Sequence, residues 1–237
     1  MDKKCQRKQI RAREVDLNTK PKVVVILSGG VDSTTLLYDV VSQGFTCHAI
    51  TFNYGQKHKK EIKYAQDTCA KLGVNHLVVD LSILGQLAPS ALTRQEVVIP
   101  KGSYEEEPMK LTVVPNRNMV LISLAVAYAI GIGASSVFYG AHGGDHSIYP
   151  DCRAEFVEAL GHAITLCDWN VVKLEAPYLK FDKADILRRG LDLGVDYSMA
   201  WTCYEGKELA CGTCGACAER LEAFAVNNVV DPILYKT

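Results

Sequence analysis

VVVILSGGVDSTT, residues 23–35, joins a wholly apolar run to two glycines, an aspartate and a row of hydroxyls. Val23 to Leu27 shows no polar alternation, which predicts a strand covered on both faces, the mark of a parallel sheet. Beyond the glycines a helix starts near Ser33, with Leu36, Leu37, Val40 and Val41 on one face. The turn is therefore a strand-to-helix connection, the place where α/β sheets bind ligands. Glycines let backbone N–H groups approach an anion closely, and a helix N-terminus adds a favourable dipole. Ser28, Ser33, Thr34 and Thr35 add hydroxyl donors. Capping the helix would need only Asp32 or Ser33. No lysine follows the glycines, so this is not a Walker-type loop.

Working outward, the elements alternate. A strand is predicted from about Thr46 to Phe52. A helix follows from about Gln56 to Leu72, its apolar face holding Ile62, Ala65, Cys69 and Leu72, with Gly73 as its cap. His76 to Val79 reads as another short strand. From Leu81 to Leu111 the pattern is irregular, with Pro89, Pro100, Pro108 and an acidic run at 105–107, and it reads as an excursion over the sheet edge, a candidate lid. Alternation resumes with a helix after Arg117, a strand near Ser136 to Gly140, a helix from about Arg153 to Leu166, a strand at Val171 to Leu174, and a helix from about Asp182 to Gly190. The expected fold is α/β: a doubly wound, mainly parallel sheet. The expected division is a basic N-terminal arm at 1–21, an α/β domain at 22–197 and a small cysteine-rich module at 198–237.

Composition narrows the function classes. A formal net charge of −1 over 237 residues argues against a protein that holds nucleic acid by bulk electrostatics. The locally basic KKCQRKQIRAR at 3–13 reads as a solvated tail. No apolar stretch follows the basic start, so no signal peptide is expected. Met119 to Ala141 carries no charge and is long enough to span a bilayer. Gly131, Gly133 and the Ser135–Ser136 pair divide it, however, and a buried helix running into a strand explains it better. A soluble, cytoplasmic protein with reduced thiols is expected.

Cys203, Cys211, Cys214 and Cys217 have the spacing C-x7-C-x2-C-x2-C. Four thiolates this close match a closed, structural zinc site, with an iron–sulfide cluster as the rival occupant. Cys5, Cys47, Cys69, Cys152 and Cys167 are scattered and read as packing residues or exposed thiols. Two polar patches precede predicted helices. In VPNRN (114–118), Asn116, Arg117 and Asn118 offer donors suited to a phosphate or carboxylate, or simply to a capped helix. In GAHGGDHSIYPDCR (140–153), Asp145 and Asp151 could accept from a guanine-like base on which Tyr149 stacks. His142 and His146 lack regular ligand spacing. Lys180 and Lys183 could reach phosphates, although a solvated lysine is the default.

SGGVDS, at Ser28 to Ser33, resembles the pyrophosphate loop of the PP-loop ATP pyrophosphatase superfamily. That resemblance implies ATP cleaved between its α and β phosphates, with magnesium, over a nucleotide-binding stretch comprising Leu27, Ser28, Gly29, Gly30, Val31, Asp32, Ser33, Thr34, Thr35, Leu36 and Leu37. Taken in order from about Lys22, SGGVDSTT, VPNRN, YPDCR and the four-cysteine tail resemble the 7-cyano-7-deazaguanine synthase (QueC) family. The family resemblance implies a ligase that turns 7-carboxy-7-deazaguanine and ammonia into the nitrile through adenylated intermediates, and a homodimer. It assigns catalysis to Ser28, Asp32, Ser33 and Arg117, and substrate binding to Asn116, Arg117, Asn118, Asp145, Tyr149, Asp151 and Arg153, with Asp145, Tyr149, Asp151 and Arg153 as the candidates for base recognition. Two other PP-loop activities remain open here: joining the deazaguanine to a macromolecular amine, and thiolating or amidating tRNA. A non-enzymatic zinc module that binds nucleic acid is disfavoured by the net charge.

Overall fold

The computed structural model describes residues 20–101, 107–144 and 148–236. Five strands form one parallel sheet: β1 (Lys22–Ile26), β2 (Thr46–Asn53), β3 (Asn75–Asp80), β4 (Ser136–Phe138) and β5 (Lys173–Glu175). Their spatial order is β3-β2-β1-β4-β5. The chain builds outward from β1 in one direction through β2 and β3, then crosses to the other side of β1 for β4 and β5. A switch point therefore lies between β1 and β4, where an open α/β sheet leaves a crevice at its carboxyl edge.

The valines of β1 explain its central place. Val23 and Val25 pack with Leu36, Leu37 and Val40 of α1 (Val31–Ser42), Ala65 and Cys69 of α2 (Lys60–Leu72), and Ile186 of α6 (Lys183–Asp192). Val24 packs on the opposite face with Ile122, Ala125 and Ala129 of α4 (Arg117–Ile132) and Val157, Leu160 and Ile164 of α5 (Ala154–Thr165). All three valines are fully buried, each stabilising the sheet by roughly 1.5–3 kcal/mol. The expected two-sided burial of this strand is what the structure has.

Gly133, at φ +68°, caps α4, so the uncharged 119–141 run breaks into a helix and β4. Among the described residues no helix is long and apolar enough to cross a membrane. The irregular stretch after the edge strand β3 contains the short helix α3 (Ile83–Leu87) and a 3-10 turn at Glu107–Thr112. It packs Leu84, Ala88 and Leu92 against Tyr54 and Val114. The helix expected from Gln56 begins only at Lys60, because the Gln56 side chain closes the preceding loop. Its Oε1 accepts from Tyr54 N at 2.8 Å, and its Nε2 donates to Phe52 O at 3.3 Å.

The cysteine-rich tail packs against this core through α7 (Gly215–Val226). Ala223 and Phe224 join Val31 of α1 and Leu187 of α6 in one buried cluster. Arg220, 1% exposed, anchors the tail: it forks onto Asp231 at 2.7 and 2.8 Å and donates to the carbonyls of Ala200 and Tyr197. A buried guanidinium is tolerated only with such complete pairing.

Candidate active site

The loop leaving β1 turns at Gly29, whose φ is +89°. A side chain there would also place its Cβ 2.2 Å from the carbonyl oxygen of Glu61, so glycine is required on both counts. Ser33 Oγ accepts from Ser28 N at 3.1 Å and lies 2.9 Å from Ser28 Oγ, which accepts from Gly30 N at 3.3 Å. Gly30 is the N-cap of α1, and no side chain caps that helix. Its first-turn amides therefore remain available to an anion. Thr34 Oγ1 is buried and has no hydrogen-bond partner among the described residues.

Asp32, from the first turn of α1, meets Lys183 from the first turn of α6. Lys183 Nζ donates to both Asp32 oxygens, at 2.8 and 2.7 Å, and lies 3.1 Å from Glu219 Oε2 of α7. Burial by itself would raise the Asp32 pKa, but Lys183 and then His142 outweigh it and hold the carboxyl below 3.8. Lys183, expected by default to be solvated, is instead an 11%-exposed ammonium bracketed by two carboxylates. Only the folded chain brings residues 32, 183 and 219 together.

These groups line one cavity of about 230 Å³ at the β1/β4 switch point. Ser28, Gly30, Val31, Asp32, Ser33, Gly140 and Lys183 form one wall. Tyr54, His58, Glu61, Arg117, Asn118, Tyr149 and Tyr204 line the remainder, with Thr202 and Glu219 from the tail. Arg117 stands over the Tyr54 ring at 5.4 Å and donates to its hydroxyl at 3.4 Å. Burial, only partly countered by Arg117, pushes the Tyr54 phenol up to about 12, so it stays a protonated donor. Tyr149 OH sits 2.8 Å from Thr112 Oγ1 and 3.4 Å from Tyr204 OH.

Other candidate residues lie elsewhere. Leu27, Leu36 and Leu37 are core, and Thr35 Oγ1 bonds Val31 O and Tyr197 OH, away from the cavity. Asn116 is an exposed residue at φ +58° that turns the chain into α4. Asp151 accepts from Asn118 N at 3.2 Å, capping α4 rather than lining the cavity. Arg153 is exposed at the start of α5, outside the cavity wall. Asp145, His146 and residues 1–19 of the basic arm, Cys5 among them, lie outside the described residues. Sequence reasoning missed Tyr54, His58 and Glu61, although YGQKHKKE concentrates polar residues directly after β2, at the same sheet edge as the glycine loop.

The tail cysteines converge. The Sγ atoms of Cys203, Cys211, Cys214 and Cys217 all lie within 4.8 Å of one another, and all four residues are buried. Backbone amides of Thr213 and Cys214 donate to Cys211 Sγ at 3.4 and 3.3 Å, and Cys211 N donates to Cys203 Sγ at 3.3 Å. Amides aimed at sulfur favour thiolates, so the cluster suits a cation. Trp201 N donates to Gly29 O at 2.8 Å, tying this module to the glycine loop after β1. By contrast, burial pushes the thiols of Cys47 and Cys69 up to about 11 and about 12, as inert packing groups.

A parallel sheet carrying SGGVDS at its switch point, with a donor-lined cavity beside it, defines an α/β protein of the PP-loop type. Solved structures agree on the fold. An NMN synthetase from Francisella tularensis superposes with TM-score 0.50 at 12% identity, over 90% of this chain and 79% of that one. A 4-thiouridine synthetase–RNA complex with bound ATP superposes with TM-score 0.51 at 18% identity, over 85% of this chain and 50% of that one. Sequence relatives are much nearer. The family described as queuosine biosynthesis protein QueC matches residues 22–228. A 7-cyano-7-deazaguanine synthase from Methanoregula boonei is 60% identical over 91% of this chain and 99% of its own length. Those from Caldicellulosiruptor saccharolyticus and Psychromonas ingrahamii are 59% and 53% identical, each over 91% of this chain and over 96% and 98% of their own lengths. The chain belongs to the QueC family of 7-cyano-7-deazaguanine synthases.

Proposed function

We propose that the protein is an ATP-dependent ligase that converts 7-carboxy-7-deazaguanine and ammonia into 7-cyano-7-deazaguanine with release of AMP and pyrophosphate. The observation that carries this reading beyond family membership is the shared cavity. The phosphate loop and the Arg117 guanidinium open onto the same 230 Å³ space. A carboxylate is a poor acyl donor, and adenylation supplies a leaving group that ammonia displaces. The resulting amide oxygen is adenylated in turn and expelled as the nitrile forms. Both rounds need the same elements: donors for pyrophosphate, a cation at the acyl phosphate and a site held in register. Ser28, Ser33 and the α1 amides would hold the pyrophosphate, Lys183 would neutralise it, and Arg117 would hold the acyl end. Magnesium would enter with ATP, and Asp32 and Glu219 are the carboxylates placed to share it.

The four cysteines fit structural zinc. Zinc–thiolate bonds of about 2.3 Å in a tetrahedron set sulfurs about 3.8 Å apart, and Cys211 Sγ and Cys217 Sγ are 3.9 Å apart. On this reading residues 22–197 form the ATP-binding domain and 198–237 a zinc module packed on it, working as a cytoplasmic homodimer. The test is product analysis. Carboxylate, ammonia and ATP should give the nitrile with two AMP formed for each molecule, and limiting ATP should leave the amide. Modification of a protein or RNA amine while ammonia is ignored would replace this reading with one of its PP-loop relatives.

A further inference from the structure

The family reaction does not say which group recognises the purine-like edge of the substrate; of the two aspartates expected to do so, Asp151 lies off the cavity wall and Asp145 lies outside the described residues. Among the described residues three carboxylates line the cavity: Asp32, Glu61 and Glu219. Asp32 and Glu219 share the Lys183 ammonium. Glu61 pairs with no lysine or arginine among the described residues. Its side chain, 12% exposed, is held by neutral or titratable donors: Gln56 Nε2 at 3.0 Å from Oε1, and His58 Nε2 at 3.2 Å from Oε2.

Those partners are themselves fixed. Gln56 is locked by Tyr54 N and Phe52 O, and the His58 ring lies 5.8 Å from that of Tyr204. An ionised carboxylate offers about four acceptor positions. Two are used here, so Glu61 is an oriented acceptor with capacity left and no lysine or arginine beside it among the described residues. At the opposite chemical extreme of the same cavity stands Arg117, held by Tyr54.

Resting on the ligase reading above, we infer that Glu61 is the residue that selects the base, accepting the adjacent N1–H and 2-amino donors of the deazaguanine while Arg117 takes its carboxylate. A guanine-type edge is the one common purine edge that presents two neighbouring donors, and a fixed carboxylate matches it in both count and spacing. An adenine-type edge would set an acceptor against the carboxylate and be repelled. The YGQKHKKE segment thus acts as a specificity loop, with Gln56 and His58 as positioning residues.

The experiment compares 7-carboxy-7-deazaguanine with its analogue lacking the 2-amino group, using AMP release by the full-length enzyme and E61Q. Wild type should favour the full substrate by about 10- to 100-fold in kcat/KM, the range of a charge-assisted hydrogen bond. E61Q should raise KM for the full substrate by a similar factor, leave kcat within a few fold, and reduce the discrimination to less than threefold. E61D, which keeps the charge, should retain part of it, and unchanged melting temperatures would show that both variants fold. Full discrimination in folded E61Q overturns the proposal, as does a loss confined to kcat, which would make Glu61 a participant in amine chemistry. Failure of wild type to release AMP with either compound would instead overturn the ligase reading itself.

Discussion

Removing the Lys183 ammonium tests the electrostatic core of the site. In Lys183→Met the apolar stem is kept and the charge is lost, leaving Asp32 and Glu219 facing each other without their common cation. Breaking a buried pair by deleting one partner costs about 3–5 kcal/mol, and the 22% and 14% exposure of the two carboxylates lowers the expectation to about 2–3 kcal/mol. With a urea slope of about 2–3 kcal/mol per molar, the midpoint should fall by about 1 M. The sign of the linkage fixes the conditions. Asp32 is held below 3.8 in the fold, so its contribution is complete above the unfolded carboxyl pKa and is lost only as pH falls through the folded one. Denaturation at pH 7 therefore reads all of it. Adding Asp32→Asn to Lys183→Met removes one stranded anion and should recover about 1 kcal/mol, whereas Asp32→Asn in the wild-type background should destabilise. Strict additivity of the two substitutions would refute the coupling. Turnover should fall by about 100- to 1000-fold in Lys183→Met, as for loss of one preorganised charge at a reacting phosphate.

Three further outcomes follow from the same geometry. Ser33→Ala should abolish AMP release while leaving the melting temperature nearly unchanged, because Ser33 Oγ organises the Ser28 side of the loop rather than the core; near-normal turnover would remove it from the cradle. Arg117→Lys should reduce kcat/KM by about 10- to 100-fold, since a point charge does not replace a planar fork, while the exposed Arg153→Ala should leave kinetics within twofold. Purified protein should contain one zinc per chain and lack visible absorption, and Cys214→Ser should lower stability by several kcal/mol, roughly, together with activity; bound iron and sulfide would assign the cysteines to a cluster.

The fold was legible because its strongest signals are local. Five apolar residues, a glycine turn and a helical face specify β1, the loop and α1 without help from distant sequence. Boundaries were less legible where a side chain replaced backbone pairing. Gln56 satisfies Tyr54 N and Phe52 O itself, so the chain stays non-helical through a segment that composition would allow to be helical. β5 is Lys173–Glu175 rather than 171–174, because Val171 is exposed ahead of the sheet, whereas Lys173 pairs with Ser136.

The site was legible only in its contiguous parts. SGGVDS and the four-cysteine spacing stand out because their donors lie close together in sequence. Lys183 could not be distinguished from a surface lysine, since its role depends on α6 starting beside α1, 151 positions away in sequence. Glu219 depends on one step more. It reaches Lys183 from the first turns of α7, whose N-terminal end carries Cys214 and Cys217 of the four-sulfur cluster. The cluster is itself fastened to the SGGVDS loop through Trp201 N and Gly29 O. The cysteine module is thus mechanically continuous with the SGGVDS loop. On the zinc reading proposed above, loss of the metal should disturb the SGGVDS loop through Glu219 and Gly29 before it exposes the sheet, so a site structural in its chemistry would act on function through what it holds in place.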